Sequence, residues 1–148
     1  MIEPLSARQA AVVALARVAR MLERTLAQQD PPALSLSDYR MLSAVAGGEA
    51  RASRLSARLA VGRPAVSASV DSLARRGLLT RHGGEGDQRA IELRITPEGD
   101  RVRAAAEEAL GALVRDIAGR TPDAQATLAA LAAFGEGIEQ YQQEASTR

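Results

Sequence analysis

Few side chains in this 148-residue chain could perform covalent chemistry. The sequence has no cysteine and one histidine, His82, so disulfides, thiol catalysis, thiolate metal sites and a histidine cluster within one chain are excluded. The spacing of the remaining residues shows no nucleophile–base pair and no metal-binding motif. The glycines at 83, 84 and 86 fall between two predicted strands, whereas a phosphate-binding loop needs a strand followed by a helix. We therefore predict that the protein is not an enzyme and uses no metal or cofactor.

The groups that remain are arginines, which bind anions, and their distribution is uneven. All 19 basic residues are arginine. Residues 51–94 hold nine arginines and four acidic residues, a net charge of +5, whereas the rest of the chain holds ten arginines and fourteen acidic residues, a net charge of −4. A basic middle between acidic ends favours a polyanion that docks on the middle only. A solvated charged surface explains the charge pattern equally well, so the charge alone leaves both interpretations open.

Two helices are predicted before this basic segment. Ser6 and Gln9 have capping-box spacing at the start of the first helix, which runs to about Gln28. Ser35 and Asp38 have the same spacing at the start of the second helix, which two glycines end at positions 47–48.

The basic segment itself predicts two more helices. The third helix covers about 52–60, and its start is poorly marked because Arg51 stands where a serine or threonine cap is expected. The fourth helix begins near Arg63, and Pro64 suits its first turn. Its inward face is predicted from spacings of four and three, which select Val66, Val70 and Leu73.

A two-stranded ribbon and two long helices complete the prediction. Residues 78–82 and 90–95 have the composition and alternation of strands, with a glycine-rich hairpin loop between them. Thr96-Pro97 begins a helix that runs to about Arg120, and Thr121-Pro122 repeats the start signal. The last helix is rich in alanine and has a narrow apolar stripe that predicts a partner surface, formed by Leu128, Leu131, Phe134, Ile138 and Tyr141.

The overall composition predicts one globular domain. Hydrophobic residues make up 46% of the chain, which is too many for a disordered protein. No apolar run approaches the roughly 18 residues of a membrane span. Charges interrupt the first 25 residues, so we expect no signal peptide, no membrane partner and a cytoplasmic location.

The order of four helices, a ribbon and two helices resembles the MarR family of winged helix-turn-helix regulators. The resemblance is strongest from Leu34 to Gly99. It implies a mainly helical fold with six helices and a small β-wing, a DNA-binding lobe at about 34–99, and dimerisation helices at about 1–30 and 100–148. The stretches that carry it are LSLSDYRML, RLSARLAVGRPAVSASVDSLARRGLLTR and GDQRAIELRITPEG.

The resemblance implies that the fourth helix enters the major groove of double-stranded DNA. Arg63 is the candidate for base reading, because a guanidinium donates two hydrogen bonds to guanine. Ser67 is suited to a base edge or a phosphate, and Pro64 and Ala68 to a thymine methyl group. The family often has a basic residue at the position of Ala68, which puts one contact in doubt. Solvent exposure alone is the alternative for Ser67.

The ribbon is expected to contribute through Arg89, which the resemblance places in the minor groove with Asp87 orienting it. The alternative for this pair is an ordinary surface ion pair. Phosphate contacts are expected from Arg54, Arg75 and Arg81, with Arg58 and Arg94 as secondary candidates. For His82 a structural hydrogen bond is favoured over a sensing role.

A small anionic aromatic effector is also implied, near Arg17 and Arg20 of the first helix and Tyr39 and Met41 of the second. Core packing is the favoured alternative for Tyr39, and a solvated face or a dimer ion pair is the alternative for the two arginines. Together these expectations describe a homodimeric repressor that binds a palindromic operator and is released by a phenolic or carboxylate ligand. The alternative function is a winged-helix adaptor that binds protein and not DNA.

Overall fold

The computed structural model describes residues 6–30, 33–49, 51–83 and 91–146. These residues form six helices and one antiparallel two-stranded sheet, which confirms the predicted fold class. The elements in chain order are α1 (Ala7–Ala27), α2 (Leu36–Ala46), α3 (Ala52–Leu59), α4 (Arg63–Arg75), β1 (Leu79–His82), β2 (Glu92–Ile95), α5 (Pro97–Ala118) and α6 (Ala124–Ser146). Within these ranges no helix combines the length and apolar character needed to cross a membrane.

The predicted helix caps are present at α1 and α2. The Ser6 hydroxyl accepts from the Gln9 backbone N–H at 3.3 Å, and the Gln9 side chain accepts from the Ser6 N–H at 2.9 Å. Ser35 and Asp38 make the same reciprocal pair at 3.0 and 3.4 Å. The Arg51 side chain does not cap α3, and its backbone instead forms a single β-bridge with Glu92.

The predicted start of the last helix is wrong. The Asp123 carboxylate accepts from the Ala126 N–H at 2.9 Å, and α6 begins at Ala124. The Thr121 hydroxyl instead donates to the Ala118 carbonyl at 2.6 Å, where α5 ends. Thr121 therefore belongs to the end of one helix and does not start the next.

The core lies within the lobe built by α2, α3, α4 and the ribbon, against the C-terminal end of α1 and the N-terminal half of α5. The predicted inward residues of α4 are all buried, and Leu93 of β2 is buried between the flanking, half-buried Ile91 and Ile95. The largest fully buried side chains are Leu26, Met41, Leu42, Leu55, Leu73, Leu78, Leu79 and Leu93. The N-terminal part of α1 and most of α6 lie outside this core.

A close backbone contact joins α4, the ribbon and α5. Gly77 has a φ of +71°, and the Leu78 N–H donates to the Leu73 carbonyl at 2.9 Å, which closes the end of α4. The Thr96 hydroxyl donates to the Gly77 carbonyl at 2.7 Å and accepts from the Gly99 N–H at 2.9 Å. The Leu78 carbonyl lies so close to Gly99 that a Cβ at Gly99 would be 2.0 Å from its oxygen.

We predict that Gly99→Ala destabilises the fold by about 2 kcal/mol or more, because the methyl group would force α5 away from Leu78. Urea unfolding followed by circular dichroism measures this. Gly111→Ala in the same helix is the control: its nearest atom is the end of the flexible Arg115 side chain at 3.4 Å, and alanine favours a helix interior by about 0.5–1 kcal/mol. Equal stability of the two variants would contradict the role given to the Gly99 contact.

Candidate nucleic-acid interface

The helix-turn-helix consists of α3, a short turn and α4. Ala60 in the turn has a φ of 53°, a left-handed conformation that few residues other than glycine adopt. The Val61 N–H donates to the Ser56 carbonyl at 3.1 Å, and the Ser56 hydroxyl donates to the Val61 carbonyl at 2.6 Å. The Arg40 guanidinium donates to the Leu59 carbonyl at 2.8 Å. These bonds fix the direction in which α4 leaves α3.

One face of α4 is buried and the other is exposed over its whole length. Arg63, Ser67 and Asp71 are spaced by four residues and therefore follow one line along the exposed side. Five predicted DNA-contact residues lie together on this exposed surface, namely Arg63, Pro64, Ser67, Ala68 and Arg75.

The N-terminal end of α4 is open to an anion. Gly62 occupies the cap position, and among the described residues no side chain accepts from the first N–H groups of the helix. These unpaired donors carry the positive end of the helix dipole. The exposed Arg63 side chain stands in the same turn, so its charge and the helix end act in the same direction.

The C-terminal end of α4 is fixed to α2 by Arg76. Its guanidinium donates to the Asp38 carboxylate at 3.0 Å and to the Ala33 carbonyl at 2.6 Å. The side chains of Arg76 and Asp38 are only 27% and 13% exposed. Arg76 therefore holds the fold together, although the sequence shows it only as part of the basic segment.

The two faces of the ribbon have different roles. The register pairs Leu79 with Ile95, Thr80 with Arg94, Arg81 with Leu93, and His82 with Glu92. Because Leu79 and Leu93 are buried, Thr80, His82, Glu92 and Arg94 lie on the opposite, outer face. There the His82 ring bonds the Thr80 hydroxyl at 2.9 Å, which agrees with the structural role favoured for His82.

Arg81 and Arg94 are both engaged by carboxylates. Arg94 pairs with Glu92 of its own strand at 3.3 Å on the outer face. Arg81 lies on the inner side of the ribbon and pairs with Asp71 of α4. Asp71 lies on the exposed side of α4, and the sequence gives no sign that it meets an arginine ten residues away.

A cleft of about 940 Å³ separates α2 and α3 from the C-terminal part of α6. Arg54 and Arg58, one helical turn apart on α3, line it, and neither forms an ion pair with any residue in the described ranges. Ser43 also lines it, and its hydroxyl is buried without a hydrogen-bond partner among the described residues. The lining residues are Tyr39, Arg40, Ser43, Ala44, Arg54, Ala57, Arg58, Leu59, Gly135, Ile138, Glu139, Gln142 and Gln143.

The cleft contains one of the four residues predicted to bind an effector. Tyr39 lines it, half-buried. Met41 is 1% exposed and packs in the core instead. Arg17 and Arg20 are exposed on α1, and Arg20 pairs with Glu23 at 3.4 Å. The predicted effector residues are therefore not brought together.

The predicted pair Asp87 and Arg89 lies outside the described residues. Within the described ranges, no group of three metal-ligating side chains is found.

Comparison with known proteins agrees with this geometry. The sequence model of the MarR family matches residues 34–90, and no curated protein sequence matches the chain. The structure is similar to the transcriptional regulator BldR from Sulfolobus solfataricus, with a TM-score of 0.68, 24% identity, and coverage of 91% of this chain and 99% of that one.

Two further similar structures contain DNA. One is the transcriptional repressor CouR bound to a 23-mer duplex, with a TM-score of 0.74, 21% identity, and coverage of 90% of this chain and 92% of that one. The other is FabT of Streptococcus pneumoniae in complex with DNA, with a TM-score of 0.68, 19% identity and 95% coverage of both chains.

The exposed second helix of the helix-turn-helix and the adjoining ribbon define a winged helix-turn-helix protein. The sequence model of the MarR family matches residues 34–90 of this same lobe.

Proposed function

We propose that the protein is a homodimeric repressor that acts on DNA in the cytoplasm by binding a palindromic operator. The observation that carries this proposal is the exposed line on α4 that begins with Arg63 beside an uncapped helix end. The two DNA-bound structures of the same fold support it.

In the proposed complex α4 lies in the major groove. Arg63 reads guanine from the N-terminal end of the helix, while Ser67, Pro64 and Ala68 contact base edges beside it. Arg75 contacts a phosphate at the other end. From the sequence, Arg89 is proposed to enter the minor groove with Asp87 orienting it. Arg54 faces the cleft beside α6, so its proposed phosphate contact is less direct than that of Arg75.

We predict that Arg63→Ala lowers affinity for duplex DNA from upstream of the protein's own gene by roughly tenfold or more, because a bidentate arginine–guanine contact contributes about 1–3 kcal/mol. Fluorescence anisotropy at fixed salt measures this. Arg120→Ala is the control, because it removes the same charge from an exposed residue paired with Asp116 at the end of α5. Unchanged affinity of Arg63→Ala would contradict the base-reading role. Absence of any DNA binding by the wild-type chain would favour the protein adaptor.

The proposed dimer is supported by apolar side chains that the single chain leaves uncovered. On α6 the exposure of the residues of the apolar stripe ranges from 37% at Leu128 to 75% at Tyr141. On α1, Val12 is 62% exposed and Leu15 is 45% exposed. Large apolar surfaces of this kind mark interfaces. A two-fold dimer would present two α4 helices to two half-sites about one DNA turn apart.

We predict that Phe134→Glu converts the dimer to a monomer at micromolar concentration, because Phe134 is 53% exposed at the centre of the apolar stripe. Sedimentation velocity measures the oligomeric state. Gln140→Glu introduces the same charge on a polar position of α6 and should leave the dimer intact. A dimer in both variants would show that the interface lies elsewhere.

We further propose that a small ligand with a carboxylate or phenol group binds in the cleft and releases the DNA. Arg54 and Arg58 supply positive charge, and the Ser43 hydroxyl has no other described partner. Ile138 of α6 and Leu59 of α3 supply apolar walls. A ligand there would contact both the DNA-binding lobe and α6. It would release DNA to the extent that it binds more tightly to an arrangement of the lobe and α6 that does not fit the operator.

Benzoate and phenol serve as minimal probes of this cleft. We predict that one of them raises the melting temperature of the wild-type protein and weakens DNA binding, and that Arg58→Ala removes both effects. Arg20→Ala should respond like the wild type, because Arg20 lies on α1 and does not line the cleft. A response lost in Arg20→Ala and kept in Arg58→Ala would place the ligand near α1 instead.

A further inference from the structure

We propose that Asp71 limits the affinity of the protein for non-specific DNA by holding Arg81 in an ion pair. This inference rests on the proposed DNA-binding function and assigns a specificity-determining role within that site. It is drawn from the ion pair between the Asp71 carboxylate of α4 and the Arg81 guanidinium of β1, which is partly exposed to solvent.

The ion pair is placed where it adds little stability. The side chains of Arg81 and Asp71 are 42% and 52% exposed, and ion pairs at such exposure contribute little to folding because water screens them. By contrast, Arg76 and Asp38 fix the same helix to α2 through a pair that is mostly buried. The fold therefore does not depend on Asp71 to hold α4.

Asp71 stands on the line of residues proposed to face DNA. It follows Arg63 and Ser67 at intervals of four, and it is the one acidic residue in the sequence of α4. A free carboxylate there would repel phosphates, and a free Arg81 beside it would attract them. Pairing the two cancels both effects and leaves this part of the surface neutral.

Cancelling one positive charge affects the two kinds of DNA binding unequally. Non-specific binding comes almost entirely from arginine–phosphate contacts and the release of counterions. Specific binding adds contacts to base edges, which for this helix begin at Arg63 and do not involve Arg81. Withholding Arg81 in each protomer therefore lowers non-specific affinity more than operator affinity, and the ratio of operator to non-specific affinity rises.

The test is Asp71→Asn, which keeps the shape of the side chain and removes its charge. Each additional phosphate that a freed Arg81 neutralises makes log K fall by about 0.9 more for each tenfold rise in salt concentration. If the variant and the wild type bind equally at 1 M salt, one such phosphate makes the variant bind about 8-fold more tightly than the wild type at 0.1 M salt. At 0.1 M salt we expect Asp71→Asn to bind a duplex of unrelated sequence more tightly than the wild type does. The expected increase is about 8-fold for one such phosphate per dimer and about 60-fold for two. The ratio of operator to non-specific affinity should fall.

Glu92→Gln is the matched control. It frees Arg94 from an ion pair of similar exposure, 59% and 47%, on the outer face of the ribbon, away from α4. The outer face turns Arg94 away from α4, so the phosphate contact considered for Arg94 from the sequence is not proposed in this complex, and we expect the salt dependence of Glu92→Gln to match the wild type. Melting temperatures of both variants check that the fold is retained.

Arg81→Ala completes a double-mutant cycle with Asp71→Asn. In the wild-type background it should lower non-specific affinity, because it leaves the Asp71 carboxylate without its partner on the line of residues proposed to face DNA. In the Asp71→Asn background it should abolish the increase in affinity and restore the wild-type salt slope.

Three results would overturn the inference. Unchanged non-specific affinity in Asp71→Asn would show that a freed Arg81 does not bind phosphate. Lower operator affinity in Asp71→Asn would show that the carboxylate itself accepts from a base such as cytosine. Absence of DNA binding by the wild-type chain would refute the proposed function together with this inference, whereas the first two results leave the proposed function standing.

Discussion

The arrangement of the lobe depends on the contact between the Leu78 carbonyl and the first turn of α5. That contact is possible because residue 99 has no side chain. Around it, the end of α4, the first strand of the ribbon and the helix that leads out of the lobe are joined by hydrogen bonds of the backbone and of the Thr96 hydroxyl. A displacement of α5 would therefore disturb the contacts that close the end of α4.

The charge available to a partner differs from the charge in the sequence. The basic segment carries a net +5, but Arg76 is used to hold α4 on α2, and Arg94 is paired on the outer face of the ribbon. Arg81 is paired with Asp71. Arg63 and Arg75 are exposed on α4 and have no ion pair with a described residue. Affinity for a polyanion should therefore rest on fewer arginines than the composition indicates, and on having two copies of them.

Local features of the fold could be predicted because they depend on residues close in sequence. The reciprocal caps at Ser6 and Ser35 and the buried side of α4 follow from spacings of three and four, and the structure has them all. The start of α6 could not be chosen correctly, because Thr121 and Asp123 are both good caps and the bond from Thr121 to Ala118 decides between them. Contacts between distant residues were beyond prediction. Arg81 meets Asp71 only once the ribbon folds against α4, and the cleft exists only because α6 returns to α3 some eighty residues later.

Ile138 links the two features that one chain alone leaves incomplete, the uncovered apolar stripe and the open cleft. It is 44% exposed, it belongs to the stripe of α6, and it also lines the cleft beside α3. Under the proposed function, a partner chain that covers the stripe fixes the position of α6, and a ligand in the cleft pushes against the same helix. The two events are then thermodynamically coupled, since each changes the free energy of the arrangement that the other requires. The backbone contact between Leu78 and Gly99 joins α5 to the end of α4, and α6 follows α5 after a short turn. Under the proposed function, these contacts connect α6 to α4, the helix proposed to enter the major groove.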